Sequence, residues 1–347
     1  RLLGIPTVVE RLVQQAINQV LTPIYENQFS KTSYGFRPRR GCHDALRGAQ
    51  RIINEGYIYV VDLDLERLFD TVSHSKLIEI LSRTIKDGRV VSLIHKYLRS
   101  GVMNKGLFEV SEEGTPQGGP LSPLLSNIMP NELDKELERR GLLFVRYADD
   151  SMIFCKSKRA AMRVKESITR FIENALYLKV NKEKTIVSYV RGVKYLGYSF
   201  YVMKGKCQLT VHPKSKAKMK SRLKELTSRS NGWGYAKRKQ KLKEYIIGWV
   251  GYYHLANMKR LLLETDEWLR RRIRLCIWKA WKKVKTRVAN LIRCGINEYQ
   301  AYEWGNTRKG YWRIADSPVL KRAINNDNLR SAGYATLKVA YLEWYPK

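Results

Sequence analysis

Two adjacent aspartates, Asp149 and Asp150, lie at the centre of an apolar stretch that covers residues 144–154. Residues that favour β-structure flank the pair on both sides, which predicts a hairpin with the carboxylates at its turn. Neighbouring carboxylates repel each other, and hard divalent cations prefer oxygen ligands, so a bound metal ion is one explanation for the pair. A solvated, aspartate-rich turn is the ordinary alternative, and the pair alone does not decide between the two.

A second pair of carboxylates lies earlier in the chain. Residues 57–65 are rich in β-forming types, and the alternation of side chains along a strand places Asp62 and Asp64 on one face. Asp64 ends this predicted strand, and an aromatic residue, Phe69, follows five positions later. A two-metal site for phosphoryl chemistry takes its carboxylates from separate strands. The strand and the hairpin together are typical of such a site.

The elements that must position these carboxylates mix helices and strands. Apolar periodicity predicts a helix at 8–28, a second helix that ends near Asn54, and further helices at 74–86, 89–99, 122–140 and 158–175. A strand is predicted near 106–110, and a pair of strands at 185–190 and 194–203. The apolar stripe of the first helix predicts a face that packs. The lack of βαβ regularity favours an α+β fold over a doubly wound sheet. From His212 onwards the pattern is helical with basic stripes.

Composition points to a folded protein with a polyanionic partner. The 347 residues are 44% hydrophobic, which is enough for two or three packed domains. The net charge is +33, and residues 201–347 carry +24 of it together with all eight tryptophans. Basic groups interleaved with aromatic rings suit phosphate contact and base stacking. A membrane surface is a weaker explanation, because the aromatic residues do not gather on one amphipathic helix.

Cysteine and histidine usage excludes other classes of site. The five cysteines have no C-x-x-C spacing, and the five histidines form no ligand-spaced pair, so we expect neither a zinc site nor a disulfide framework. We assign no chemistry to His74 or His212, which we interpret as turn or cap residues. Neither a signal peptide nor an apolar run long enough to span a bilayer is recognisable. We therefore expect a soluble protein that stays in the cytoplasm, without a membrane partner.

Seven segments occur in an order that resembles one known family. They are 1–8, Tyr-Gly-Phe-Arg-Pro at 34–38, Val-Asp-Leu-Asp-Leu-Glu-Arg-Leu-Phe-Asp at 61–70, Gly-Thr-Pro-Gln-Gly-Gly-Pro-Leu-Ser-Pro at 114–123, Tyr-Ala-Asp-Asp at 147–150, Asn-Lys-Glu-Lys-Thr at 181–185 and Tyr-Leu-Gly-Tyr at 195–198. In this order they resemble the successive blocks of a bacterial group II intron reverse transcriptase, also called a maturase. The resemblance implies a right-hand polymerase fold, with fingers and palm at 1–205 and an α-helical thumb and maturase domain at 206–347.

The resemblance also implies a metal site. Asp64, Asp149 and Asp150 would hold two Mg²⁺ ions, and the carbonyl group of Leu65 could add a ligand. Asp62 is the rival of Asp64 for this role, but Phe69 stands at the family's spacing from Asp64. Asp62 is then a network carboxylate.

Nucleotide contacts follow from the same resemblance. Phe69 would press against the sugar of the incoming nucleotide and reject a 2′-hydroxyl, unless it is an ordinary core aromatic. Arg37 and Arg40 would bind the β- and γ-phosphates of a dNTP or, equally well, template phosphates. Gln117 and Gly118 would lie beside the nascent base pair.

The remaining implied sites concern the leaving group, the primer and the nucleic-acid duplex. Lys184 would protonate the leaving pyrophosphate, or it is a surface lysine. The four residues Tyr195, Leu196, Gly197 and Tyr198 would form the primer grip, although a hydrophobic strand also explains them. The basic stripe of a predicted helix at 267–285 could follow phosphates, or it is a solvated face; its members are Arg271, Arg274, Trp278, Lys282 and Lys285.

The sequence therefore predicts an RNA-directed DNA polymerase whose partners are group II intron RNA, an RNA template, a DNA primer or target DNA, and dNTPs. A related enzyme used in phage defence or CRISPR spacer acquisition is one alternative, and an RNA-binding splicing factor with an inactive palm is another.

Three positions depart from the family, namely Leu2, Leu68 and Pro130, and Pro130 is expected to kink or shorten its helix. We also expect the usual N-terminal extension and the C-terminal nuclease domain to be absent.

Overall fold

The structure is a computed structural model that describes residues 4–66, 68–104, 107–109, 113–115 and 118–344. Leu2 and Gln117 lie outside these residues, as does part of the strand predicted near 106–110. The chain divides into two compact units, Arg1–Gln208 and Leu209–Lys347.

The first unit combines helices with antiparallel strands. Its helices are α1 (Val8–Glu26), α2 (Cys42–Asn54), α3 (Leu68–Thr71), α4 (His74–Thr84), α5 (Gly88–Leu98), α6 (Ser122–Arg139) and α7 (Lys158–Ala175). Its strands are β1 (Tyr59–Asp64), β2 (Val102–Asn104), β3 (Leu107–Glu109), β4 (Leu143–Tyr147), β5 (Asp150–Cys155), β6 (Ile186–Tyr189) and β7 (Tyr198–Met203). The boundary between the units falls within β8 (Lys206–Val211), which pairs with β7. The α+β prediction is confirmed.

A central sheet with the order β4–β5–β1–β6 organises this unit. Strand β1 is antiparallel to both β5 and β6. One face of the sheet carries Val61 and Leu63 of β1 and Ile153 of β5 into an apolar core, which helices α4 to α7 cover. Because side chains alternate along a strand, Asp62 and Asp64 lie on the opposite face.

Three expectations for the first unit are corrected. The apolar stripe of α1 packs only in part, because Leu21 and Tyr25 are buried in the core whereas Val9, Leu12 and Val20 are exposed. Strands β6 and β7 do not form a pair, since β6 joins β1 and β7 joins β8. Helix α6 is not shortened by the proline at position 130, because it continues to Arg139.

The second unit is helical. Its helices are α8 (Pro213–Leu226), α9 (Tyr235–Tyr253), α10 (Lys259–Ala280), α11 (Val284–Arg293), α12 (Glu298–Gly305), α13 (Tyr311–Ile314), α14 (Pro318–Ala323), α15 (Asn326–Ser331) and α16 (Leu337–Leu342). The single helix predicted at 267–285 is wrong, because α10 ends at Ala280 and a separate helix begins at Val284. Within the described ranges, no helix has the length and apolar character needed to cross a bilayer.

Candidate active site

The register of the sheet brings the two acidic segments together. Asp64, the last residue of β1, lies directly opposite Asp150, the first residue of β5. Directly opposed residues of an antiparallel pair share a face and have Cα atoms ~4.5–5.5 Å apart. Asp150 also pairs with Tyr147 across the hairpin, which leaves Ala148 and Asp149 as the two central residues of its turn. The structure therefore has the hairpin predicted from the sequence, and its turn, which holds Asp149, lies beside the strand end at Asp64.

The turn that presents Asp149 has an unusual backbone. Ala148 has a φ of +57°, a left-handed value at the first central position as in a type II′ turn. The backbone of Gly35 packs directly against this turn, since a Cβ atom at Gly35 would lie 2.3 Å from the Ala148 nitrogen. Glycine is needed at position 35 because any side chain there would displace the turn.

A buried arginine supports the same turn from the core side of the sheet. Arg146 has 1% of its surface exposed and forms a bidentate ion pair with Asp134 of α6, at 2.6 Å between Nη2 and Oδ2. Its Nη1 donates to Asn127 Oδ1 at 2.9 Å and to the Ala148 carbonyl oxygen at 3.1 Å. The guanidinium therefore links α6 to the residue that precedes Asp149.

Asn127 extends this network to the opposite side of the turn, because its side-chain amide donates to the Gly35 carbonyl at 2.7 Å. These residues were not predicted from the sequence. The sequence does contain a signal for this network, because polar residues recur at spacings of four, three and four on one face of a helix that is otherwise largely apolar. These residues are Asn127, Asn131, Asp134 and Glu138. All four bind the 28–37 loop or Arg146.

The backbone of Asp64 is fixed by the segment that follows α7. The Asp64 N–H donates to Thr185 Oγ1 at 3.2 Å, and the Asp64 carbonyl accepts the Asn181 N–H at 2.9 Å. Thr185 has no exposed surface. Leu65 is buried and forms an isolated bridge with Val180. These contacts explain how residues 181–185, far away in sequence, belong to the same site.

Lys184 reaches the site from this segment. Its Nζ atom lies 3.5 Å from Asp64 Oδ2, and its side chain is 69% exposed. An ion pair this exposed contributes little to stability. The lysine is therefore placed beside Asp64 while its side chain remains open to solvent.

Asp62 adds to the negative charge. Burial, followed by the charges of Asp150 and Asp64, raises the pKa of Asp62 to about 6. A carboxyl group crowded in this way is stabilised by any cation that binds nearby. Asp62 thus belongs to the same acidic face, as the alternation of β1 predicts.

The donor set suits a magnesium ion that a substrate completes. Within the ranges that the structure describes, no three acidic, histidine or cysteine side chains form a ready-made metal cage. Mg²⁺ commonly binds one or two protein carboxylates and takes its other ligands from water and substrate phosphates. The opposed Asp64 and Asp150, with the raised pKa of Asp62, fit that kind of site.

Phe69 lies on the short helix α3 and is partly buried. The loop that contains Gly118 approaches the start of the chain closely, because a Cβ atom at Gly118 would lie 2.2 Å from the Gly4 carbonyl oxygen. Gly118 also has a φ of +111°. Both observations require glycine at this position.

The structure corrects the expected role of Arg37. Its side chain is 2% exposed, pairs with Glu26 and donates to the carbonyl groups of Ser30 and Ser33. Arg40 is half-buried, and its Nη1 donates to the Lys31 carbonyl at 2.6 Å. We therefore leave Arg37 out of the nucleotide site.

Among the residues that this turn presents to solvent are instead Phe36, which is 54% exposed, and Arg39. Both have left-handed φ values, +54° and +57°. Non-glycine residues rarely adopt such values, so the sequence alone gave no sign of this arrangement.

The predicted primer-grip residues form a two-residue hairpin. Tyr195 and Tyr198 exchange backbone hydrogen bonds at 3.0 and 2.9 Å, and Leu196 and Gly197 at the turn have positive φ values of +48° and +83°. Both signs match a type I′ turn. Both tyrosines are buried, so the exposed part of the segment is its backbone turn rather than the aromatic rings.

In the second unit, part of the predicted basic stripe is structural. Arg274 and Trp278 are buried, and Arg274 Nε donates to the Ile324 carbonyl at 2.9 Å. Arg271 donates to the Trp312 carbonyl and packs over the ring of that tryptophan at 3.9 Å. The two remaining residues, Lys282 and Lys285, are exposed. The helical period alone could not tell which residues of this stripe face solvent, because arginine and tryptophan side chains also pack between helices.

Comparison with known proteins gives matches to both units. Residues 1–200 match the family model described as reverse transcriptase (RNA-dependent DNA polymerase). Residues 216–295 match the group II intron, maturase-specific domain.

The chain is also similar to individual known proteins. The chain is 34% identical over 237 residues to "Protein YkfC" of Escherichia coli, which covers 57% of this chain and 62% of that protein. It is 32% identical over 267 residues to the "Group II intron-encoded protein LtrA" of Lactococcus lactis, and the match covers 58% of this chain and 44% of that protein. The chain thus spans less than two thirds of the length of either relative. A structural likeness to apo telomerase from Candida tropicalis has 12% identity, covers 97% of this chain and 60% of that one, and has a TM-score of 0.47.

Proposed function

Because this chain belongs to the reverse transcriptase (RNA-dependent DNA polymerase) family, we propose that it extends a DNA primer along an RNA template by two-metal nucleotidyl transfer. The single observation that carries this proposal is the register of the sheet, which opposes Asp64 to Asp150 at the hairpin turn that holds Asp149. Two Mg²⁺ ions would bind Asp64, Asp149, Asp150 and the Leu65 carbonyl group.

The chemistry divides among these residues and their neighbours. Bound Mg²⁺ supplies a lowered pKa for the primer 3′-hydroxyl and charge neutralisation for the triphosphate and the leaving pyrophosphate. Lys184 donates its Nζ proton to the pyrophosphate oxygen, and its position 3.5 Å from Asp64 supports that role. Phe69 excludes the 2′-hydroxyl of a ribonucleotide. Gly118 lies beside the nascent pair, and the turn at Leu196 and Gly197 supports the primer end.

The second unit supports an additional role with RNA. It matches a maturase-specific domain, and residues 201–347 carry a net charge of +24. Proteins recognise A-form RNA largely through its backbone and shape, which suits a broad basic surface with exposed residues such as Lys282 and Lys285. We propose that it assists the splicing of a group II intron RNA in the bacterial cytoplasm. We also propose that the first unit acts as fingers and palm, and the second as thumb and maturase domain.

The test is primer extension on an RNA template with Mg²⁺ and dNTPs. We expect the chain to extend the primer and Asp149→Ala to lose at least ~100-fold in rate, because one ligand of the metal site is removed. The matched control is Glu183→Ala, which removes one exposed carboxylate from a loop beside the same site. Equal extension by Asp149→Ala and by the unchanged chain would refute the assignment.

A further inference from the structure

The backbone of Phe69 is held by a second segment of the first unit. Its carbonyl oxygen accepts the Thr115 backbone N–H at 2.6 Å and the Thr115 hydroxyl at 3.4 Å. The Gly114 N–H donates to the Val72 carbonyl at 2.8 Å, and the Gly114 carbonyl accepts a hydrogen bond from His74 Nε2 at 2.6 Å. We call these five residues, Phe69, Val72, His74, Gly114 and Thr115, the gate clamp.

The gate clamp is buried and closely packed. His74 and Thr115 are each 5% exposed. Gly114 has a φ of +88°, and a Cβ atom there would lie 2.7 Å from the Phe69 carbonyl oxygen. Only glycine therefore allows the two segments to approach this closely.

Helix α3 depends on these external contacts. It has four residues, and the carbonyl groups of a helix this short lack partners within the helix. Thr115 supplies the partner for the carbonyl of Phe69. His74, in contrast, stands on the longer helix α4, whose Leu77 and Leu81 are anchored in the core. His74 thus transmits the position of a rigid helix through Gly114 and Thr115 to the short helix that carries Phe69.

We propose that His74 is a positioning residue that sets the distance between the Phe69 ring and the sugar of the incoming nucleotide, and so sets the discrimination against ribonucleotides. The inference rests on the proposed polymerase function and deepens it. A ribonucleotide differs from a deoxyribonucleotide by one oxygen atom, so a small shift of the ring decides whether the 2′-hydroxyl fits. Since a carbonyl oxygen only accepts hydrogen bonds, Nε2 of His74 carries the donated proton.

The test compares kcat/KM for a dNTP and for the matching rNTP. His74→Phe keeps an aromatic ring but removes the donor, and we expect the dNTP-to-rNTP ratio to fall about five-fold, the factor that corresponds to ~1 kcal/mol for one lost hydrogen bond. His74→Gln retains an N–H donor and should keep the ratio within about two-fold of the unchanged chain. Thr115→Val removes only the longer hydroxyl bond and should lower the ratio by less than His74→Phe does.

Two controls separate the possible failures. Ile172→Ala opens a cavity in the same core on α7, a helix that contributes no residue to the gate clamp, and should leave the ratio unchanged. Phe69→Ala tests the sugar check itself. If Phe69→Ala lowers the ratio but His74→Phe does not, or if Ile172→Ala lowers it equally, the clamp inference is overturned while the polymerase proposal stands. A ratio unchanged by Phe69→Ala overturns the sugar check and the clamp together, and absence of any extension overturns the polymerase proposal as well.

Discussion

The ion pair behind the aspartate turn allows a quantitative test. We consider Arg146→Met, which removes the guanidinium and keeps a long apolar side chain. Asp134, with no exposed surface, would lose its counter-charge, and the Ala148 carbonyl would lose the Nη1 donor at 3.1 Å. Breaking a buried pair from one side costs ~3–5 kcal/mol, because an uncompensated charge stays in the core. That loss is a large share of the ~5–15 kcal/mol that stabilises a typical protein.

The assay must report on the first unit alone. All eight tryptophans lie in the second unit, so their fluorescence follows that unit. Amide hydrogen exchange in β4 and β5 measures the opening free energy of the sheet instead. We expect exchange there to accelerate in Arg146→Met, with the fluorescence transition unchanged. The matched control is Arg139→Met, because Arg139 pairs with Glu136 from a side chain that is 71% exposed; it should cost less than ~1 kcal/mol.

A double variant separates stability from positioning. Asp134→Leu added to Arg146→Met removes the orphaned charge, so stability should return to within ~1 kcal/mol of the original chain. Primer extension should stay reduced, because the turn before Asp149 still lacks its support. A cost below ~1 kcal/mol for Arg146→Met alone would refute the buried-pair reasoning. Full activity in the double variant would refute the positioning role.

Three further predictions concern other buried groups. Folding raises the pKa of Asp62 from 3.8 to about 6, so the metal-free fold loses stability as the pH rises through this range. Asp62→Asn removes the charge and should therefore add up to ~3 kcal/mol to the free energy of unfolding at pH 7, but nothing below about pH 4. Exchange at β1 measures this gain, and a gain independent of pH would exclude the electrostatic cause. Thr185→Val removes the Oγ1 acceptor of the Asp64 N–H, so it should lower the opening free energy of β1, measured by amide hydrogen exchange, by ~1 kcal/mol and should also lower kcat. Thr185→Ser keeps the hydroxyl and should retain both the opening free energy and kcat. Equal values for the two variants would show that the hydroxyl does not hold Asp64. In the second unit, Asp266 accepts the N–H groups of Leu337 and Lys338 at 2.9 Å, so Asp266→Ala should lower the tryptophan-monitored unfolding free energy by ~1–3 kcal/mol, and an unchanged transition would show that water replaces the carboxylate.

Much of the acidic face was predictable, because strand alternation and residue types are local properties. The period of two placed Asp62 and Asp64 on one face, and apolar residues around Asp149 and Asp150 indicated the hairpin. The direct opposition of Asp64 and Asp150 depends on the strand register, which the sequence alone left open.

What escaped prediction depends on contacts between distant segments. The periodicity of α1 indicates an apolar face but not whether another element covers it, and Val9 and Leu12 are in fact exposed. Charge gave a misleading indication at Arg37 and Arg274, since a guanidinium can satisfy carbonyl groups in a core as readily as phosphates at a surface. The role inferred for His74 required the structure, because Gly114 lies forty residues away in the chain.

We propose that the carboxylates of β1 and the β4–β5 turn form a metal-dependent nucleotidyl-transfer centre. The most direct measurement counts the Mn²⁺ ions bound per chain, by electron paramagnetic resonance, with an RNA template, a primer that lacks its 3′-hydroxyl and the matching dNTP. We expect two ions for the unchanged chain and for Glu183→Gln, and fewer for Asp64→Asn and Asp149→Asn. An equal count in all four proteins would contradict it.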